Sequence, residues 1–222
     1  ASPHLYGGTY NLFTNTLKNM GIEVRFADPE NPESFRELSD GRTRAYFGET
    51  LPNPKLVPFP IEEVAAIGRE LAIPLIVDNT AAPITCRPFD YGAAIVVHSL
   101  TKYIGGHGTS IGGVIIDSGK FDWVANPSQQ PLFNTPDGSY HGAIWGQLIP
   151  EVLGAPIAYA VRARVVLLRD LGAALSPTNA FNIIQGLETL ALRFREQQEN
   201  ASKLVDFLES HPAVEKVIYP SL

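Results

Sequence analysis

An α/β fold built on a mostly parallel sheet is what this sequence predicts, and two observations carry the prediction. Short, nearly continuous apolar runs recur at Leu75 to Asp78, Ala94 to His98 and Gly113 to Asp117. Runs of this kind suit strands buried on both faces. Between and before such runs lie stretches with apolar residues at helical spacing, and the alternation of the two implies helices covering both faces of a sheet. Taken in order, Tyr10 to Met20 reads as a helix, with Leu12, Phe13, Leu17 and Met20 near one face and Gly21 to end it. Ile22 to Phe26 follows as a strand, Pro32 to Leu38 as a short helix, and Thr43 to Gly48 as a strand. Pro60 opens a helix that runs to Leu71 on the apolar face Val64, Ile67 and Leu71. The three apolar strands come next. Ala125 to Tyr140 is rich in Pro, Gly and Asn and reads as a loop, a lid or a subunit contact. Ile157 to Leu171 is a helix carrying Arg162, Arg164 and Arg169, which read as a solvated face. Ala180 to Glu209 is a long helical stretch with a break.

Composition narrows the function. The chain has 222 residues and a net charge of -6, with no basic stripe to offset it, which argues against nucleic acid as partner. It shows no apolar run long enough to span a bilayer and no secretory signal, so no membrane partner is expected. The single cysteine, Cys86, excludes an intrachain disulfide, fits a reducing cytoplasm and reads as a small buried residue. The five histidines show no metal spacing, so no metal is expected.

The most informative segment is Val96-Val97-His98-Ser99-Leu100-Thr101-Lys102-Tyr103-Ile104-Gly105-Gly106-His107-Gly108. A β-branched strand runs into Ser, Thr and a lysine, with glycines following at once. Upstream, Leu75-Ile76-Val77 ends in Asp78-Asn79-Thr80. Singly, a lysine after a strand is usually a solvated lysine, and an aspartate there is usually a turn former. Together they are what pyridoxal phosphate needs: an amine for its aldehyde, and an acid to keep its pyridine nitrogen protonated so that the ring draws electrons. Ser99 and Thr101 can hydrogen-bond a phosphate from the same turn. Glu49 lies at a neighbouring strand end. His98 reads as a sheet residue and His107 as a structural hydrogen bond in the glycine turn.

Five ordered motifs extend this reading. They are Leu5-Tyr6-Gly7-Gly8-Thr9-Tyr10, Glu49-Thr50-Leu51-Pro52-Asn53-Pro54, Val77-Asp78-Asn79-Thr80, Ser99-Leu100-Thr101-Lys102-Tyr103, and Ser176-Pro177 through Gln185-Gly186-Leu187-Glu188-Thr189-Leu190. The chain resembles the Cys/Met-metabolism family of pyridoxal-phosphate enzymes over nearly its whole length, and within it the O-acetylhomoserine sulfhydrylases. The resemblance implies an aspartate-aminotransferase-like (fold type I) large domain with a seven-stranded, mostly parallel sheet over residues 1–175. It implies a connecting helix and the start of a C-terminal domain over 176–222, with the rest of that small domain absent. It makes Lys102 the cofactor lysine, Asp78 the partner of the pyridine nitrogen, Tyr6 the residue stacked on the ring, and Asn53 the donor to the ring 3-oxygen. The cofactor-binding set is then Lys102, Asp78, Ser99, Thr101, Tyr6 and Asn53.

The implied reaction is γ-replacement, in which sulfide or a thiol displaces acetate from O-acetyl-L-homoserine. A sulfur-carrier protein would also serve as donor. Gly8 separates this reading from the methionine γ-lyases that the chain also resembles, which carry a cysteine there. Cystathionine γ-synthase or γ-lyase chemistry is the alternative, and a non-catalytic fragment of the same fold a second one. Family chains are roughly twice this length, which leaves room for a second lobe. The family's Ser-Gly-Met phosphate turn, the Tyr and Arg lent by a neighbouring subunit, and the arginine for the substrate carboxylate have no counterpart here. The implied assembly is a homotetramer of two-fold symmetric dimers.

Overall fold

The computed structural model describes residues 1–220. Its centre is a four-stranded sheet in the order β1 (Tyr46–Glu49), β2 (Leu75–Asp78), β3 (Ile95–Ser99), β4 (Gly113–Asp117). β1, β2 and β3 are parallel, and β4 returns antiparallel to β3. The sheet is therefore mixed, and four of the expected seven strands lie among the described residues. The direction of β4 has a simple cause. A parallel crossover usually carries a helix that packs back on the sheet, and Leu100 to Gly112 is a glycine-rich turn with no helix in it.

Each face of the sheet seals a separate core. On one, Tyr46, Leu75, Val77 and Val96 pack with Phe35, Phe59, Val64 and Ile67. On the other, Ala94 and Ile95 pack with Trp123, Phe133, Trp145, Ile149 and Ala158. Val77 and Ile95 are fully inaccessible, which explains the unbroken apolar strands. The Ile61–Leu71 helix covers the first core, burying Ile61, Val64, Ala65, Ile67 and Gly68. Glu62 and Glu63 stand in its first turn, where the helix dipole favours anions, and Ala72 in the left-handed region ends it. Gly68 lets the following segment close in, because a Cβ there would lie 2.5 Å from the Ile73 carbonyl oxygen.

Three expectations need correction. Residues 22–26 form no ladder strand: Ile22 N–H donates back to the Leu17 carbonyl, and the extended chain beyond it pairs with Ala1, from Ala1 N–H to the Arg25 carbonyl and from Ala27 N–H to the Ala1 carbonyl. Residues 125–140 are not a structureless lid. They contain the Pro131–Asn134 helix and a 3₁₀ turn at Gly138–Tyr140. Phe133 is buried 4.5 Å from the Trp123 ring, and the buried Gln129 and Gln130 side chains donate to the Asp40 and Arg44 carbonyls. Among the arginines, Arg164 and Arg169 are exposed, but Arg162 is half-buried.

The helical reading of the C-terminal region holds. The Ala158–Arg162 helix continues through a π-helical stretch at Ala163–Leu168 to Leu171. The long stretch breaks at Thr189 into Pro177–Glu188 and Leu190–Ser210. Ser176 caps the first of these by accepting the Asn179 N–H, and Pro177 fits its first position. None of the helices among the described residues is long and apolar enough to cross a membrane.

Candidate functional site

Three parallel strands bring their carboxyl ends to one edge, where open α/β sheets bind ligands. Glu49 ends β1 in register with Asp78, which ends β2. Asp78 is in turn in register with Val97, and Ser99 lies two residues further along β3. Side chains alternate along a strand, so Glu49, Asp78 and Ser99 share one face of the sheet at this edge. The strand sequences thus deliver three polar groups in a row immediately after their buried apolar segments.

The loops beyond the strands tie these groups together. Thr80 N–H donates to Asp78 Oδ1 at 2.8 Å, and Thr80 Oγ1 accepts the Ser99 N–H at 2.7 Å. Thr80 thereby fixes the Asp78 carboxylate and links the ends of β2 and β3, a role its place in the Asp-Asn-Thr motif did not reveal. Tyr6 N–H donates to Glu49 Oε1 at 2.8 Å. This anchors the backbone of Tyr6 at the edge while its ring stays 52 % exposed. A Cβ on Gly8 would stand 2.6 Å from the Tyr6 ring, so any larger residue at position 8 must displace that ring.

Lys102 follows Ser99 in a tight turn. Its N–H donates to the Ser99 carbonyl, Gly105 N–H to the Leu100 carbonyl and Gly106 N–H to the Lys102 carbonyl. The Lys102 side chain is exposed, and its amine makes no hydrogen bond or ion pair among the described residues. Thr101 differs from expectation: its hydroxyl accepts the Gly112 N–H at 3.1 Å and donates to the Gly112 carbonyl at 3.3 Å. To reach a phosphate it must release the longer of these bonds. Asn53 is exposed beyond β1, with its backbone N–H facing the Glu49 carboxylate. His107 makes the expected structural contact, Nδ1 to the Gly105 carbonyl at 2.7 Å, and His98 lies in β3. Cys86 is only half-buried.

The electrostatics of the edge are set by burial. Glu49 is 6 % exposed. Desolvation raises its carboxyl pKa to about 7, with the Asp78 charge adding to the rise and the Tyr6 N–H opposing it. Desolvation pulls His98 below its ordinary value, against the attraction of Asp78. Thr50 Oγ1, Asn79 Oδ1 and His98 Nδ1 are buried at this edge with no hydrogen-bond partner among the described residues. The residues fit pyridoxal phosphate on structural grounds. Lys102 and Asp78 form no ion pair with each other among the described residues, and Asp78 keeps one oxygen without a donor. Beside them are an exposed aromatic ring at Tyr6 and a Ser99 hydroxyl.

A mainly apolar cavity of about 570 Å³ borders the region, lined by Thr50, Phe59, Cys86, Tyr103, Phe194 and Tyr219 among others. Neither Lys102, Asp78 nor Tyr6 lines it. The residues that the sequence nominates therefore lie outside this cavity.

The family model for Cys/Met metabolism PLP-dependent enzymes matches residues 1–222. An O-acetyl-L-homoserine sulfhydrylase of Leptospira meyeri is 49% identical over 100% of this chain and 51% of its own length. A homocysteine/cysteine synthase of Saccharomyces cerevisiae is 46% identical over 100% of this chain and 49% of its own. A crystal structure of an O-acetylhomoserine (thiol)-lyase from Campylobacter jejuni, containing N′-pyridoxyl-lysine-5′-monophosphate, superposes with a TM-score of 0.90 at 41% identity, covering 100% of this chain and 53% of that one. The chain spans about half the length of the curated relatives it matches.

Proposed function

Because the chain belongs to the Cys/Met metabolism PLP-dependent enzyme family, we propose that it carries the cofactor-holding site of a γ-replacing enzyme. The reaction takes O-acetyl-L-homoserine and sulfide to L-homocysteine and acetate, with a thiol such as methanethiol giving methionine. The observation that carries this reading is the carboxyl edge of β1–β3. Asp78, with one open oxygen, ends β2; Tyr6 is hydrogen-bonded through its backbone to Glu49 at the end of β1; and the unpaired Lys102 follows the end of β3, in a family whose cofactor is pyridoxal phosphate.

The bound cofactor supplies an electron sink for the α-carbon of an amino-acid substrate. Lys102 holds the cofactor through its amine and, once freed from it, moves protons at the substrate α- and β-carbons, so that the electron pair left at the β-carbon can expel acetate from the γ-carbon. Asp78 holds a proton on the pyridine nitrogen, its carboxylate oriented by the Thr80 N–H. Tyr6 lies against the ring, with its backbone fixed by Glu49. Ser99 takes the phosphate, joined by Thr101 once its hydroxyl leaves the Gly112 carbonyl. Asn53 donates to the ring 3-oxygen. Acetate leaves the γ-carbon, and the sulfur nucleophile forms its bond there.

Two observations favour this branch over the lyases and cystathionine γ-synthases. The sulfhydrylase and homocysteine synthase relatives reach 44–49% identity, whereas a Lactobacillus plantarum cystathionine γ-lyase structure is 29% identical. Gly8 leaves the Tyr6 ring where a side chain would push it aside. Residues 1–175 serve as the cofactor-binding domain and 176–222 as the connecting helix and the start of a C-terminal domain. The protein works as a cytoplasmic homotetramer, for which exposed Val152, Leu153, Leu167 and Leu171 offer apolar contact surface. Free sulfide, a thiol or a sulfur-carrier protein suits the same site. The full-length protein, given O-acetyl-L-homoserine with sulfide, methanethiol or cysteine in turn, should release acetate fastest with sulfide. Fastest turnover with cysteine would move it to the cystathionine-forming branch. No turnover with any of the three would refute the proposal.

A further inference from the structure

Arg193 opens the Leu190–Ser210 helix, ninety residues away in sequence from the lysine turn that it grips. Its half-buried guanidinium donates Nη1 to the Tyr103 carbonyl at 3.0 Å and Nη2 to the Ile104 carbonyl at 3.3 Å. Nη2 also reaches the Gly186 carbonyl at 2.7 Å, and Nε reaches Thr189 Oγ1 at 3.0 Å. Tyr103 and Ile104 are the two residues that follow Lys102. Arg193 forms no ion pair with a carboxylate among the described residues, and all four of its hydrogen bonds there go to this junction. A planar guanidinium can serve three carbonyls and a hydroxyl from one fixed position, which a flexible ammonium cannot.

The packing around the fork has the same design. A Cβ on Gly106 would stand 2.5 Å from the guanidinium carbon, and Gly106 has a φ of +75° that favours glycine in any case. A Cβ on Gly186 would run into the Gly105 carbonyl oxygen. Ile183, buried in the Pro177–Glu188 helix, closes on Gly112 beyond the turn. Phe194 meets the Tyr103 ring edge-on at 5.1 Å. Glycines on both sides bring the helix pair within backbone contact of the turn, and Arg193 locks it there.

We infer that Arg193 is the positioning residue for Lys102. It ties the helices of residues 177–210 to the turn and fixes the direction in which the amine faces the cofactor. The inference rests on the reading that Lys102 holds pyridoxal phosphate.

The test uses the full-length protein with Arg193→Gln, Arg193→Lys and the milder Thr189→Val, which leaves the guanidinium but removes its Nε partner. Ser176→Ala serves as control, because it weakens the cap of the neighbouring helix without touching the turn. Two readouts are taken: amide hydrogen exchange at Lys102, Gly105 and Gly106 in the cofactor-free protein, and the dissociation constant of pyridoxal phosphate from its visible absorbance. Both Arg193 variants should speed exchange at those amides and raise the dissociation constant about tenfold, the loss of roughly one charge-assisted hydrogen bond. Thr189→Val should show the same change at smaller size, and Ser176→Ala should lower Tm with neither. Wild-type values in the Arg193 variants would overturn the inference, as would full rescue by Lys or equal shifts in Ser176→Ala. If wild type binds no pyridoxal phosphate, the underlying reading fails, and the exchange data alone decide whether Arg193 braces the turn.

Discussion

The two ends of the same strands could hardly differ more. Along β2, Leu75 and Val77 are sealed in the first core. One residue later, Asp78 keeps an oxygen without a donor. Of the four buried side-chain atoms without a hydrogen-bond partner among the described residues, three lie at the carboxyl edge: Thr50 Oγ1, Asn79 Oδ1 and His98 Nδ1. The fourth, on Arg162, is elsewhere. Burying a polar atom unpaired costs about 1–3 kcal/mol, so the edge gives back part of the stability that the apolar interior supplies. The interior is built for folding, whereas the edge keeps polar atoms that the folded chain does not use.

Substitutions can break that contrast from either side. The largest effect belongs to the edge: Lys102→Ala should abolish turnover and the visible absorbance of the bound cofactor while leaving the fold intact, as circular dichroism would show. Turnover at the wild-type rate would remove Lys102 from the chemistry. From the interior, Phe35→Ala should lower unfolding stability by about 3–5 kcal/mol, the usual range for an emptied aromatic site. Phe35 is 2 % exposed, among Tyr46 and Phe59. The absorbance maximum of the loaded protein should not move. A shift would mean that the core and the edge are not separate in function.

Asp78→Asn keeps the shape but not the charge proposed to hold the pyridine proton. The expected loss is roughly 100-fold in rate, about 3 kcal/mol, with stability little changed. A steady-state rate within a few-fold of wild type would assign that proton to another group.

The subtlest prediction concerns Glu49. Burial pushes its carboxyl pKa up to about 7, from an ordinary 4.5. Between those values the folded state holds the extra proton. Stability is therefore fullest below pH 4.5 and is lost as pH rises towards 7, by about 2–3 kcal/mol over the window. Glu49→Gln cannot ionise, so denaturation of the cofactor-free variant from pH 4.5 to 7 should show a flatter profile than wild type. Equal slopes would mean that Glu49 is ionised throughout.

Much of this was legible in the sequence, for reasons tied to range. Leu75 to Asp78 and the Ile61–Leu71 helix announce themselves through local periodicity. Lys102, Asp78 and Tyr6 stand in motifs only a few residues long. Residues 22–26 misled because their alternation of apolar and charged residues does not show whether a neighbour is there to pair with them. The antiparallel return of β4 follows from the missing helix between Leu100 and Gly112, where glycines stand in place of a helical apolar pattern. Residues 125–140 carry turn-forming residues, yet Phe133, Gln129 and Gln130 find partners 80 or more residues away or across the second core. Arg193 has no local signature at all. Its role exists only once the Leu190–Ser210 helix is laid against the glycine turn.

The most direct test of the central claim is chemical. The full-length protein loaded with pyridoxal phosphate is reduced with borohydride, digested, and its peptides weighed by mass spectrometry. The account predicts a pyridoxyl-phosphate mass on Lys102 alone among Lys18, Lys55, Lys102, Lys120, Lys203 and Lys216. The label on another of these lysines, or on none, would contradict it.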